Sequence, residues 1–369
     1  MKLKNTLWVF MTLYVVACSD DNNPIEEVEE PTAASFQVIG EDVNAVYQYD
    51  YDGATTSGEV FNLTEELGVL PSYLTLRQVD DFVSFYSFSQ GAFSLAQKNL
   101  NTGATTNFQD FYVNGPERSL VWGTNTLSNV FFGYFSPSDD RILAIQDVTL
   151  ADDSSQDLTI DFSVNLLFQP ILFENKVYIT YLDNQGNYKL TLYDTVTKTL
   201  GTIVNFNDTP ISILIEDSGD LAVIKNGVNA TLEIYDADTL AFISASNLSF
   251  NTGFSPGPIE GAVLSDNKLF YALPFVQPAL FAAGPAIFDL DTQENFVVDF
   301  VGIADQLEKE TGLTITLTNQ VFSSTQNMFF VGYAISDGLG GGGVMQISTA
   351  GTLVDNVILP FIPTDFIKD

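Results

Sequence analysis

Carboxylates are the one class of side chain abundant enough in this sequence to carry reaction chemistry. None of the 369 residues is histidine, and the single cysteine is Cys18. Imidazole bases, histidine-dependent triads and histidine metal ligands are therefore excluded. Thiol nucleophiles and the usual zinc or iron–sulfur ligand sets need cysteines that the body of the chain lacks. Gly340 to Gly343 is not followed by the Lys-Ser or Lys-Thr of a phosphate-binding loop, so it reads as a surface loop. Among the acids, Asp152, Asp153 and Asp157 cluster, and Asp236 with Asp238 and Asp289 with Asp291 form Asp-x-Asp pairs. Two acids facing one cavity, roughly 5–9.5 Å apart, would serve glycoside hydrolysis, and oxygen-rich loops would hold calcium. Both pairs instead fall where a strand-ending turn is expected, and neither has the spacing of a calcium loop. Turn chemistry is the reading, with no metal or cofactor.

Charge narrows the partners. The chain has 13 basic and 47 acidic residues, a net charge of −34. Removing residues 1–17, with Lys2 and Lys4, leaves 11 basic residues and a net of −36. Such a chain repels nucleic acid and anionic headgroups. It suits a cation, a neutral ligand or a basic protein patch.

Residues 1–17 have the parts of a secretory signal: Lys2 and Lys4, the apolar run Leu7 to Val16, then Val15-Val16-Ala17 ahead of Cys18. This end matches the lipobox of bacterial lipoproteins, which implies cleavage before Cys18 and diacylglycerol on its thiol. The run is short for a membrane span, whereas two acyl chains anchor stably. Residues 18–33, with Glu26, Glu27, Glu29 and Glu30 between Pro24 and Pro31, read as a disordered acidic tether. Ser19-Asp20-Asp21 resembles the surface-export signal of Bacteroidota lipoproteins, which implies a lipid-anchored place on the outer face of the outer membrane.

Residues 34–369 read as one all-β domain. Short runs rich in Val, Ile, Phe, Tyr and Thr alternate with Gly, Asn, Asp and Pro clusters. The leading strands are Val43 to Tyr49, Phe82 to Phe88, Val130 to Phe135, Val177 to Leu182, Leu221 to Lys225, Leu269 to Leu273 and Met328 to Ile335. Their centres lie 39, 47, 47, 44, 48 and 60 residues apart, the spacing of four-stranded blades. The following strands share an ending, as in Lys189 to Asp194, Thr231 to Asp236 and Ala286 to Asp289, each with a Thr soon after: Thr197, Thr239 and Thr292. Ser119 to Gly123, Ile211 to Ile215 and Ile259 to Leu264 suit inner strands. Thr199 to Val204, Phe296 to Phe300 and Leu353 to Leu359 suit outer ones. Seven hairpins predict a seven-bladed β-propeller. Six blades, with Val43 to Tyr49 completing the last, is the first alternative and a pair of β-sandwiches the second. In architecture the chain resembles YncE-like and related surface lipoprotein propellers, a resemblance that carries no catalytic motif. Ala304 to Glu310 before Gly312 predicts a short helix.

Binding is the better lead to function. The loop inside each central hairpin and the loop leading to the next blade emerge on one face. There Phe254, Phe275 and Phe281 offer an exposed aromatic patch, the usual mark of an interaction site, unless the long loop 274–285 folds over its own blade. Tyr112, Arg118 and Trp122 offer a second site, for an acidic or sugar ligand at the channel mouth, unless they are structural. Thr195 and Thr239 sit in Asp-Thr-Val and Asp-Thr-Leu triplets that resemble the O-glycosylation acceptor of Bacteroidota. The expectation is a non-catalytic cell-surface propeller that captures a ligand, such as a glycan, or docks on an outer-membrane transporter. The alternative is a carbohydrate-active hydrolase or lyase using paired acids around the axis.

Overall fold

In the second strand of most blades, apolar residues run almost without interruption, as in Lys176–Asp183 and Met328–Ile335. A strand covered on both faces needs no polar alternation. A ring of sheets packed face to face supplies that cover, and this ring is what the computed structural model shows. It describes residues 31–135, 142–336, 338 and 340–368, except the side chains of 160–163. The signal sequence, Cys18 and Ser19, Asp20 and Asp21 lie outside the described residues.

Seven antiparallel blades form the unit Thr32–Asp369. Blades 2 to 7 each run from an inner to an outer strand in chain order; their inner strands begin at Thr75, Ser119, Ile171, Ile211, Val263 and Ile315. Seven clusters of buried apolar side chains fill the interfaces, one between each pair of neighbouring blades. Blade 1 closes the circle. Phe36–Glu41, Val46–Asp52 and Ser57–Asn62 are its outer three strands, and Ile362–Phe366, near the other end of the chain, is its innermost.

This closure corrects one expectation. The spacing puts Val43 to Tyr49 among the second strands, but Val46–Asp52 is a third strand and Phe36–Glu41 is the second. The count of seven nevertheless holds and the six-bladed alternative does not. Other boundaries shift as well. The outer strand of blade 6 is Glu294–Val297, and Phe300 opens a helix, Phe300–Thr311, capped by the Asp299 carboxylate and ending at Gly312. Gly342 and Gly343 belong to a strand, Gly342–Ser348, so the glycine loop is shorter than its composition suggests.

The Asp turns are as expected. Side-chain oxygens of Asp52, Asn99, Asp194, Asp236 and Asp289 each accept from a backbone N–H two or three residues on, at 2.8 to 3.0 Å. Counting four places from each, Thr56, Gly103, Lys198, Leu240 and Gln293 have left-handed backbones. Thr56 is the costly case, a β-branched, exposed residue at φ 50. Relief of that strain outweighs the entropy of an added glycine by roughly 0.5–1 kcal/mol. Thr56→Gly is therefore expected to raise the melting temperature by about 1–2 °C, while Thr56→Ala does not, as read by differential scanning calorimetry.

A top-face turn of blade 4 is closely bonded around one carboxylate. The buried carboxylate of Asp183 accepts from the N–H groups of Gln185 and Asn187 at 2.9 Å and pairs with Lys189 at 2.7 Å. Burial works to raise its pKa, but Lys189 and these donors outweigh it and hold it well below the usual carboxylate range. A carboxyl depressed on folding stabilises above its unfolded pKa, about 3.9. That contribution fades as pH falls through the folded value. Asp183→Asn should cost roughly 1.5–3 kcal/mol at pH 7, and the deficit should shrink below about pH 4 in denaturant titrations.

Candidate functional site

Regular blades would leave an axial channel of nearly even width. Two irregularities break it at one place. In blade 4 the inner edge is discontinuous. Val164 to Leu167, the end of the long strand Ser155–Leu167, pairs with the top of Lys176–Asp183, and Ile171–Phe173 pairs with its bottom. Phe168 still donates its N–H to Thr180 O at 3.2 Å, but Pro170 has no N–H to continue the ladder, so the edge bulges at Gln169 and Pro170. In blade 5 the loop after Phe242–Asn247 turns back inside the ring. Gly257–Pro258 pairs in parallel with the inner strand Ile211–Ile215, one layer nearer the axis than any other blade reaches. Ser212 Oγ donates to Ser255 O at 2.7 Å, and Asn226 joins Ser212 to the buried Thr252, fixing the loop from beneath.

Between these irregularities lies a cup of about 690 Å³ at the top mouth of the channel. Its walls mix apolar and polar surface. The apolar residues are Val121, Leu167, Phe168, Pro170, Phe254, Pro256, Pro258 and Ile259. Its polar groups are Thr75, Arg77, Gln169, Ser255 and Glu260. Arg77, on the inner strand Thr75–Val79, is held in one pose. Its Nε donates to Gly123 O at 3.1 Å, Nη1 to Thr75 Oγ1 at 2.7 Å and Leu76 O at 2.9 Å, and Nη2 to Gln169 Oε1 at 2.8 Å. The last bond crosses from blade 2 to the bulge of blade 4.

Further acids and a lysine near the axis complete the electrostatics. Burial lowers the Arg77 pKa, and Tyr86, Glu260 and Asp365 oppose that. Burial raises Asp365, with Glu260 adding to the rise and Thr364 and Arg77 opposing it. Burial lowers Lys368, again opposed by Glu260. Elsewhere positive charge is neutralised. Eight of the ten cations among the described residues pair with carboxylates; the two that do not are Arg77 and Lys368.

The residues singled out from the sequence fall mostly elsewhere. Phe254 does line the cup, set edge-on against Tyr271. Phe275 and Phe281 belong to a different core cluster from Phe254, and Phe281 is 6% exposed against Phe300. The three rings thus form no common exposed patch. The long loop folds over its own blade, and what it exposes is Val276, at 92%, and Leu280. Trp122, 4% exposed, is core, and Tyr112 is buried between blades 2 and 3. Arg118 is a structural partner away from the axis: it pairs with Asp157 at 2.8 Å, donates to Tyr112 Oη and lies over the Tyr134 ring. On the opposite face, Thr195 Oγ1 donates to Asn175 O, and Thr239 Oγ1 to the Asp236 carboxylate. Sequence reasoning passed over Arg77, Gln169 and Glu260. The signal that was there is the Pro256, Gly257, Pro258 and Gly261 run, too irregular for a plain inter-blade link.

No protein-family model matches the chain, and no curated protein matches it. Solved structures do. Puromycin hydrolase is 12% identical with a TM-score of 0.52, over 92% of this chain and 55% of its own. TolB from Acinetobacter baumannii is 14% identical with a TM-score of 0.42, over 90% and 82%. The β-propeller domain of the Trilobed protease from Pyrococcus furiosus is 9% identical with a TM-score of 0.47, over 87% and 93%. This chain spans about half of the puromycin hydrolase chain. At such identities the likeness extends to the fold alone.

Proposed function

We propose that this protein is a non-catalytic lipoprotein of the outer membrane, anchored through Cys18 and displayed on the cell surface, whose propeller captures a ligand in the Arg77 cup. The cup is the observation that carries this reading. It is assembled by two departures from a regular ring, and its fixed Arg77 sits in a concave surface of mixed polar and apolar groups, a shape that binds small molecules. It opens on the top face. The chain enters blade 1 at the other face, where Ala34 bonds Gln346 and Ser35 Oγ accepts from the Gly53 amide.

Two measurements test anchoring and display. Metabolic labelling with palmitate should mark the wild-type chain and not Cys18→Ser. Protease added to intact cells should digest the protein; survival on intact cells with digestion in lysates would sink surface display. Capture itself is tested by thermal shift of the Cys18→Ser chain against sugars, sugar acids and short peptides. A carbohydrate-active hydrolase is the second reading because burial raises the pKa of Asp365, on the innermost strand of blade 1, and Glu260 lies near enough to add to that rise. Release of reducing sugar by wild type, lost in Glu260→Gln, would favour it over capture.

A further inference from the structure

We infer that the cup takes a short zwitterionic peptide, its terminal carboxylate on Arg77 and Gln169 and its amino group on Glu260. The inference rests on the cup being a capture site and names the class of ligand that its charges select.

Arg77 is the first reason. In a chain of net charge −34, it lines a cavity with no carboxylate within ion-pair distance among the described residues, while eight other cations are paired. Neutral oxygens engage four of its N–H groups, so one Nη2 hydrogen of the five is left. Gln169 accepts from Arg77 through Oε1, which leaves its own amide N–H₂ group to donate beside that hydrogen. An arginine fixed in orientation and flanked by a second donor suits the two oxygens of a carboxylate.

Glu260 is the second. It is exposed on the inserted loop, lines the same cavity and has no ion-pair partner among the described residues. It lies near enough to influence Arg77 without pairing with it. A cup with a cation on one blade and an acid on the facing loop is matched by a ligand with both charges. The wider field agrees: so acidic a protein repels free anions that come within the screening length of about 8–10 Å. A peptide of zero net charge is spared that repulsion and still presents a carboxylate at contact. The apolar walls, Phe168, Phe254 and Pro256 among them, receive its side chains, and about 690 Å³ gives room for a few residues.

The test uses the full Cys18→Ser chain and the tripeptide Phe-Ala-Phe in three forms, titrated by calorimetry at 50 mM salt. The free form should bind. C-terminal amidation should weaken binding at least about tenfold, and N-acetylation severalfold. Arg77→Gln should erase the difference between acid and amide, and Glu260→Gln the difference between amine and acetyl. Arg77→Lys keeps the charge but not the fork, and should lie between wild type and Arg77→Gln. Equal binding of acid and amide by wild type would overturn the inference, as would unchanged selectivity in a folded Arg77→Gln protein. If the peptide fails in every form while a sugar or sugar acid shifts the melting temperature, the peptide assignment falls and capture stands. If neither class binds, both fall.

Discussion

Truncation after Leu359 is expected to abolish the cooperative unfolding transition of this protein. The ten residues removed are few, but they include Phe361, wholly buried, and Phe366, also buried, both in the cluster between blades 1 and 7. They also include the strand Ile362–Phe366, which bonds Phe36–Glu41 along the inside of blade 1. Loss of a buried phenylalanine costs roughly 3–5 kcal/mol. Two of them, with an edge strand unpaired, match the whole stability of a typical domain, about 5–15 kcal/mol. A ring also differs from a stack: once open, it exposes two blade faces that no neighbour covers. Scanning calorimetry should show a broad, shifted or absent transition, and a synthetic 360–369 peptide added in excess should partly restore it. A sharp transition within about 2 °C of wild type would contradict closure by this strand. Gly40→Val attacks the same seam, because a side chain there meets Ile362 O and the Phe361 ring.

Gly257→Val is expected to empty the cup while leaving the blades folded. Gly257 has φ +104, where only glycine is at ease, and a Cβ there would come 3.0 Å from Phe168 Cβ. The backbone strain alone is about 1–3 kcal/mol. The bonds of Ser212 and Asn226 hold the loop only up to Ser255, while the strand itself has one short parallel bridge and the Ile259 amide on Ile213 O to resist it. The loop should leave its place rather than bear that cost. Hydrogen exchange at the Ile259 amide should lose protection, and affinity for any cup ligand should fall on the order of a hundredfold or more if the wall is lost. Far-ultraviolet circular dichroism should not change. Protected exchange with unaltered affinity would show that the inserted strand does not shape the site. Gly261, also left-handed and packed against Gln320 O, pins the loop's exit, so Gly261→Val should act in the same direction.

Much of the fold is legible because a blade is a local object. Four strands, their turns and the Asp or Asn that closes the outer hairpin all lie within about 40–50 residues, so spacing and turn residues report them directly. Closure was harder to see because its partners, Phe36–Glu41 and Ile362–Phe366, are far apart in the chain and carry no shared motif. The site was harder still. Tyr112, Arg118 and Trp122 attract notice as rare or aromatic residues near a loop, yet burial and the Asp157 pair absorb them. Arg77, inside an unremarkable strand, gave no such sign.

Composition determined by itself which chemistries are unavailable, because a missing histidine is missing in any fold. The strand period likewise predicted seven blades over six, since most hairpins form from their own neighbours, but only the closure of blade 1 decided the count. Tertiary structure alone decided which charges remain unpaired. Arg77, Gln169 and Glu260 meet only because the ring folds back on its axis and two breaks in its regularity lean inward. Whether a cation is neutralised depends on what surrounds it in space, and sequence distance carries no record of that.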